Sequence, residues 1–158
     1  MTFPSQILDE IATELAGLDS VEAAVKRELR PDDPNCIVSV TGGDWDPEAY
    51  EIGKQTFGAA LGPKLSFYSV EVAVFVKGLG EEDTYELRND ITREIRDLVE
   101  TDSDLRNTLI GLVETGTSAP ETVRMMQVKN QRNGTVRVPD TGDFAFYSLT
   151  ELEVKVEA

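Results

Sequence analysis

The segment 65–76, LSFYSVEVAVFV, constrains the fold more than any other part of this sequence. Side chains on a strand alternate between faces, so residues of one parity form one stripe. Tyr68 and the valines at 70, 72, 74 and 76 share a parity, and this period-two pattern fits a strand far better than a buried helix. Phe67 and Phe75 lie on the other parity. We therefore expect a central strand with an apolar stripe towards helices and a second face that a loop or a neighbouring subunit covers in part.

The region before this strand predicts one helix and two shorter strands. Apolar residues at helical spacing predict a helix over residues 5–16. Residues 21–29 alternate as a strand does but contain many helix-forming residues, and a strand is favoured because a tight helix break precedes them. Residues 36–40 predict a short strand, which Gly42-Gly43-Asp44 should end.

The region after the central strand predicts a long helix and a short one. Asp83 is a candidate N-cap with Glu86 completing a capping box, and the helix should run to about Glu100. A second short helix should follow a break at 101–103, with Asp102 and Asp104 as cap residues. The core face of the long helix should consist of the following four residues: Leu87, Ile91, Ile95 and Leu98.

The C-terminal third predicts two strands. Residues 123–131 form the first, and Asn133-Gly134 is a strong turn signal after it. Residues Phe144–Glu157 form a long strand, in which Leu152, Val154 and Val156 share one face. Tyr147 and Leu149 break that parity, and either a bulge near 148–150 or a second covered face would explain them.

This order of elements predicts an α+β fold in a single domain spanning residues 1–158. We expect a mostly antiparallel, mixed sheet of about four to six strands with two or three helices packed on one face. An extended loop or hairpin should occupy about residues 41–64, which combine five glycines with Trp45, Tyr50 and Phe57. These aromatic residues either pack back onto the core or contact another chain, since Trp and Tyr are favoured interface residues.

Charge is the dominant feature of the composition. The chain has 30 acidic and 15 basic residues, no histidine and a net charge of −15. Such a surface repels nucleic acid and anionic membranes. With only six lysines among the bases, the composition also suits a host with high internal salt. A repulsive functional surface and a salt-adapted proteome remain two open explanations.

Few chemical sites are compatible with this composition. The absence of histidine excludes Ser-His-Asp and Cys-His catalysis, and Cys36, the single cysteine, cannot form a zinc site or an intrachain disulfide. No phosphate-binding glycine motif is present. Asp44 and Asp46 lack the pattern of a calcium loop. We therefore expect no enzyme activity, no catalytic residues, no metal and no cofactor; nor is a membrane span or secretory signal expected.

One local exception to the acidity lies near the C-terminus. A cluster of basic residues without an intervening acid consists of Arg124, Lys129, Arg132 and Arg137. On a protein this acidic, we interpret the cluster as a patch that meets an acidic neighbouring subunit. Together with Trp45, Tyr50 and Phe57, these residues are the candidate contacts to neighbouring subunits or to other proteins.

The layout as a whole resembles the tail terminator and neck proteins of long-tailed bacteriophages and archaeal tailed viruses. The matching features are the helix ILDEIATEL with VEAAV behind it, the strand FYSVEVAVFV, the helix DTYELRNDITREIRDLV and the final strand GDFAFYSLTELEVKVE. This resemblance spans nearly the full chain and is carried by the order, length and texture of its elements.

The resemblance implies a structural virion protein in the tail or neck region, made in the host cytoplasm. Its implied partners are copies of itself in a hexameric ring, the tail-tube protein and head–tail connector proteins, while genomic DNA passes through without specific binding. Another head–tail connector or tail-completion protein is the alternative. A more remote alternative is an acidic cytoplasmic binding or regulatory domain.

Overall fold

A computed structural model describes residues 2–30, 32–46, 65–137 and 144–157, with only the backbone described at 43–46, 65, 137 and 144. Five strands form one sheet in the order β1-β2-β3-β5-β4. The eight elements, in chain order, are α1 (Phe3–Leu15), β1 (Ala23–Val25), β2 (Cys36–Asp46), β3 (Leu65–Lys77), α2 (Glu81–Glu100), α3 (Asp104–Leu109), β4 (Thr122–Arg137) and β5 (Phe144–Glu157).

The predicted α+β class, with a mixed and mostly antiparallel sheet, is confirmed. β3 is the middle strand and pairs antiparallel with β2 on one side and with β5 on the other. β4 pairs antiparallel with β5 and forms one edge. β1 pairs parallel with β2 and forms the other edge. The predicted strand over 21–29 is much shorter than expected, because only Ala23–Val25 joins the sheet.

The predicted stripe on β3 faces the core. Tyr68 and the four valines that follow at period two are all buried, and α2 packs across β3 and β5. α1 packs against β2 on the same side of the sheet. Their apolar contacts join in one cluster with Ile11 and Leu15 of α1 and Ile95 of α2. The helices therefore cover one face of the sheet, and no helix of the described ranges lies on the other face, called the helix-free face below.

Gly42-Gly43-Asp44 does not end β2 as predicted. The strand continues to Asp46, and its pairing with β3 shifts register between Gly42 and Trp45. Glycines inside a strand commonly mark such a bulge, because the extra residue needs backbone freedom. The first part of the predicted 41–64 loop is thus a strand of a hairpin-like β2–β3 pair, and residues 47–64 lie outside the described part of the chain.

Asn133-Gly134 is not a turn. β4 runs through both residues to Arg137, and Gly134 pairs with Tyr147 of β5. A side chain at Gly134 would place its Cβ 2.2 Å from the Tyr147 ring. The glycine therefore allows the ring to lie close to the β4 backbone, and it does not reverse the chain direction. The connection between β4 and β5 falls in residues 138–143, outside the described ranges.

The capping box predicted for α2 is wrong. The helix begins at Glu81 with Gly80 as N-cap, and no side chain caps it. Of the predicted core face, Ile91 and Ile95 are buried, whereas Leu87 and Leu98 are partly buried. The buried face of the helix is rotated from the predicted one, because Val99 and three polar residues are also buried, namely Thr84, Arg88 and Thr92. α3 is capped by Ser103, whose hydroxyl accepts from the Arg106 amide, rather than by Asp102 or Asp104.

Tyr147 and Leu149 reflect a second partly covered face and not a bulge in β5. The β3–β5 register is unbroken from Leu65 to Lys77, and both irregularities of the β4–β5 pair lie in β4. Tyr147 and Leu149 lie on the face opposite the helices and are half-buried. The alternation in this strand therefore separates a core face from a second face with apolar members of its own.

Candidate assembly surfaces

β4 is a basic edge strand on an acidic protein. Its sixteen residues include four bases and no acid. Two of these bases, Arg124 and Lys129, occupy the positions where the register with β5 shifts. Bulges and basic side chains are common on sheet edges because they discourage the addition of another strand. The edge therefore offers side-chain charge rather than a regular ladder of backbone hydrogen bonds.

The two bulged bases make only loose ion pairs with β5. Arg124 Nε lies 3.3 Å from Glu157 and Lys129 Nζ lies 3.7 Å from Glu151. Their side chains remain 55% and 58% exposed. Exposed pairs of this kind contribute roughly 0–1 kcal/mol, so these cations stay accessible to an incoming carboxylate.

The structure brings only part of the predicted contact set together. Arg132 lies on β4 in line with the bulged bases and is exposed, and Arg137 is the last residue of the same strand. Trp45 lies on β2, which β3 and β5 separate from β4. Tyr50 and Phe57 lie outside the described residues. The basic cluster is therefore one linear surface, and Trp45 does not belong to it.

The helix-free face of the sheet carries an apolar band at one end. Tyr147, Phe75 and Ile37 are register neighbours on this face, and Leu149 and Ala73 form the next row. Ile37 is buried, while Phe75, Tyr147 and Leu149 are half-buried. Phe75 is thus half-buried between Ile37 and Tyr147 on the sheet, while its predicted cover by a loop or by a neighbouring subunit stays a prediction.

The other end of this face is polar. Glu71 and Glu151 are paired in register, and Glu151 accepts hydrogen bonds from Ser69 Oγ at 3.1 Å and from Asn130 Nδ2 at 3.0 Å. Lys155 Nζ lies 5.6 Å from the centre of the Phe67 ring, so the ring is half-buried beneath a cation. This face thus combines apolar and charged areas, as rims and cores of protein interfaces do.

Arg88 joins the helix layer to the β4–β5 pair, and sequence patterns missed it. Its side chain is 4% exposed and donates to the backbone oxygens of Gly134 at 3.2 Å and Tyr147 at 3.1 Å. The guanidinium also lies 5.0 Å from the centre of the Tyr85 ring. An arginine three residues before Ile91 on the same helix face was the only signal available in the sequence.

Tyr68 links the central strand to the segment before β4. Its hydroxyl donates to Glu121 at 2.6 Å, and its ring packs edge-on against Phe3. Burial raises the pKa of Tyr68, and the nearby Glu121 carboxylate raises it further. The phenol therefore stays protonated as a donor.

A second electrostatic contact closes the turn between β1 and β2. Arg27 donates to both carboxylate oxygens of Asp33 at 3.1 and 2.6 Å, and the Arg30 amide donates to the same carboxylate. The Arg27 hydrogen bond lowers the pKa of Asp33 to about 2 against an opposing effect of burial. This contact holds the strand connection in place and does not form a reactive centre.

Cys36 is buried, in agreement with its interpretation as a small apolar core residue. Burial raises the pKa of the thiol to about 11, and Glu22 adds to that effect. Across the described ranges, no group of three acidic or cysteine side chains is arranged to hold a metal ion. The side chains of Asp44 and Asp46 lie outside that description.

None of the helices in the described ranges has both the length and the apolar character that a bilayer crossing requires.

Comparison with known proteins does not assign this chain to a family. The sequence matches no protein-family model and no curated protein. Among solved structures, it is similar to a chain of the "Virion of native gene transfer agent (GTA) particle" with 11% identity and a TM-score of 0.47. That alignment covers 99% of this chain and 96% of the other. At this level of similarity, function has to be argued from the residues of this chain.

Proposed function

We propose that this chain is a structural virion protein that caps a viral tail tube as a homo-oligomeric ring. In this role it terminates tube polymerisation and joins the tail to the head, with a hexamer as the expected ring. The protein performs no catalysis and binds no cofactor. Its partners are further copies of itself, the tail-tube protein and head–tail connector proteins.

The observation that carries this proposal is the basic edge strand β4 on a chain of net charge −15. A basic surface that is exposed along one edge of an acidic protein is suited to docking against the acidic surface of an identical subunit. Because the two contacting surfaces differ, the contact is head-to-tail, and such contacts close into rings when the rotation allows.

Two further features support a role in the tail. The resemblance to tail terminator and neck proteins rests on an order of elements that the fold contains, namely α1 and β1, then β3, α2 and β5. A channel wall rich in carboxylates would also let DNA pass without phosphate contacts that retain it. The half-buried apolar band of the helix-free face supplies a surface for the tube or neck.

The ring is tested by native mass spectrometry of the purified protein, and its role by particle assembly without it. We expect a sixfold species, and particles lacking the protein should contain tubes of abnormal length that are not joined to heads. A protein that is monomeric at all concentrations and never caps tubes would refute the ring. Normal tubes joined to heads would refute the terminator role.

Another head–tail connector of the neck is the second candidate within the same class. It differs from a terminator in its neighbours rather than in its chemistry. A twelvefold species in the same measurement would favour a connector nearer the portal. Adjacent capsid, portal and tail-tube genes would support the virion class for either candidate.

An acidic binding or regulatory domain is the candidate from a different class. It is favoured by the exposed carboxylates of α2, which a basic protein or a nucleic-acid-binding site could recognise. Such a domain would act as a monomer and bind a basic partner with strong salt dependence. Salt adaptation of the host is a separate explanation of the acidity, and it predicts folding stability that rises steadily towards molar salt.

A further inference from the structure

We propose that the contact between subunits joins the basic edge of β4 to an acidic stripe on α2 of a second copy. This inference rests on the ring proposed above and names the surfaces that form it. The basic edge is defined as Arg124, Lys129 and Arg132, all of them exposed.

The acidic stripe exists only because α2 is helical. At 100° per residue, five exposed carboxylates at spacings of three and four positions fall within an arc of about 80°. The arc points away from the face that buries Ile91 and Ile95. The members of the acidic stripe are Asp83, Glu86, Asp90, Glu94 and Asp97. Within the described part of the chain, no ion pair involves them. In the sequence these acids look evenly spread.

The dimensions of the two surfaces agree. From Asp83 to Asp97 the helix rises about 21 Å at 1.5 Å per residue. From Arg124 to Arg132 the strand extends about 25 Å at slightly over 3 Å per residue. The carboxylates and the cations have opposite charges and extend over similar lengths, so they can meet along the whole line of contact.

A helix fits this edge better than an added strand does. Both bulges of β4 interrupt the regular series of backbone groups that strand addition would need. The bulged residues, Arg124 and Lys129, present long side chains, which can reach carboxylates on a helix without backbone pairing. This argument favours the helix α2 over any sheet edge of the second copy.

Charge exchange on the full-length chain tests the contact. The edge variant carries R124E, K129E and R132E, and the stripe variant carries E86K, D90K and E94K. The control variant E14K, D19K and E28K changes the net charge as much as the stripe variant does, but its three positions are outside α2 and β4. All four proteins are compared by native mass spectrometry and sedimentation velocity at the same ionic strength, with circular dichroism to verify folding.

We expect each of the first two variants to raise the subunit dissociation constant about tenfold or more. The stripe variant is the more decisive test of the two. It reduces the net negative charge, so if general repulsion between subunits alone controlled assembly, this variant would assemble better than the wild type. The control should assemble at least as well as the wild type. Mixing the edge variant with the stripe variant should restore rings that contain both, because each swapped surface then meets its complement.

The outcomes separate this contact from the ring itself. A monomeric wild type would overturn the ring and this contact with it. If the wild type forms rings and each folded variant also forms rings by itself, only the contact assigned to β4 and α2 is overturned. Failure of the mixed variants to form joint rings would also overturn it, as would a stripe variant that forms rings but no longer binds a basic protein.

Discussion

Gly134 of β4 lies directly against the Tyr147 ring of β5, and a Cβ at that position would stand 2.2 Å from the ring carbon Cζ. Substitution of Gly134 by Ala therefore forces the ring to move away from β4. We expect the free energy of unfolding to fall by about 1–3 kcal/mol, the usual range for overpacking. Denaturant titration would measure this change.

A double-mutant cycle identifies the cause of that loss. In a Tyr147→Ala background the ring is absent, so Gly134→Ala should be neutral or stabilising by about 0.5–1 kcal/mol, as in other strands. An equal loss in both backgrounds would show that the backbone, and not the ring, requires glycine.

Arg88 donates from α2 to the backbone oxygens of Gly134 and Tyr147, so its removal should loosen the β4–β5 pair from the helix. We expect Arg88→Met to lower the free energy of unfolding by about 2–3 kcal/mol, since bonds from charged donors are lost in a buried place. Chemical denaturation would measure this loss.

The matched control is Arg93→Met on the exposed side of the same helix, which should change stability by less than about 0.5 kcal/mol. Hydrogen exchange adds a local measurement. Amides of β4 near Gly134 should exchange faster in the Arg88 variant, and unchanged exchange there would contradict the role of the guanidinium as a link.

Asp33 makes stability depend on pH in the acid range. Its folded pKa of about 2 lies below the value of about 3.9 in an unfolded chain, so the unfolded state binds the proton first. The stabilising contribution is complete above about pH 4 and is lost as the pH falls through about 2. The difference in unfolding free energy between wild type and Asp33→Asn should therefore shrink over this window.

The neighbouring exposed Asp32 supplies the control for the loss of one carboxylate. Asp32→Asn should change the free energy of unfolding at neutral pH by less than about 0.5 kcal/mol. A wild-type minus Asp33→Asn difference that stays constant down to pH 2 would disprove the role of the Arg27–Asp33 contact.

Tyr68 should stay protonated at alkaline pH for as long as the fold persists. Its folded pKa is raised by burial and by Glu121, so the protonated phenol stabilises the fold below about pH 10, and this contribution is lost as the pH rises through the folded pKa. Ultraviolet difference absorbance should show one of the four tyrosines ionising only when the fold is lost at alkaline pH. Tyr68→Phe should remove that late step, and a late step that persists in this variant would contradict its assignment to Tyr68.

Strands with a clear period were predicted from the sequence. The stripe of β3 and the bounds of β5 follow from the alternation of apolar and charged residues. In a strand, residues of one parity lie on one face, so this alternation determines which side chains face the core. α1 and α2 follow from apolar spacing in the same way, with ends displaced by up to three residues. These features depend on neighbours in the chain.

The errors occurred where a distant residue decides the conformation. Asn133-Gly134 has the local chemistry of a turn, but the Tyr147 ring on the next strand requires a glycine beneath it. Gly42 permits a bulge inside β2, because β3 supplies pairing on both sides of it. From the sequence, Arg88 would be expected at the surface. In the fold it is buried, because the backbone oxygens of Gly134 and Tyr147 accept its hydrogen bonds.

The same distinction between sequence and tertiary structure applies to the charged surfaces. The sequence alone determined that the chain is acidic and that four of its bases fall between residues 124 and 137 without an intervening acid. Only the tertiary structure placed those bases along one sheet edge and gathered the α2 carboxylates on an outward stripe. The physical reason is that net charge is a sum over the chain, whereas a surface depends on which side chains the strand and helix periods direct to the same side.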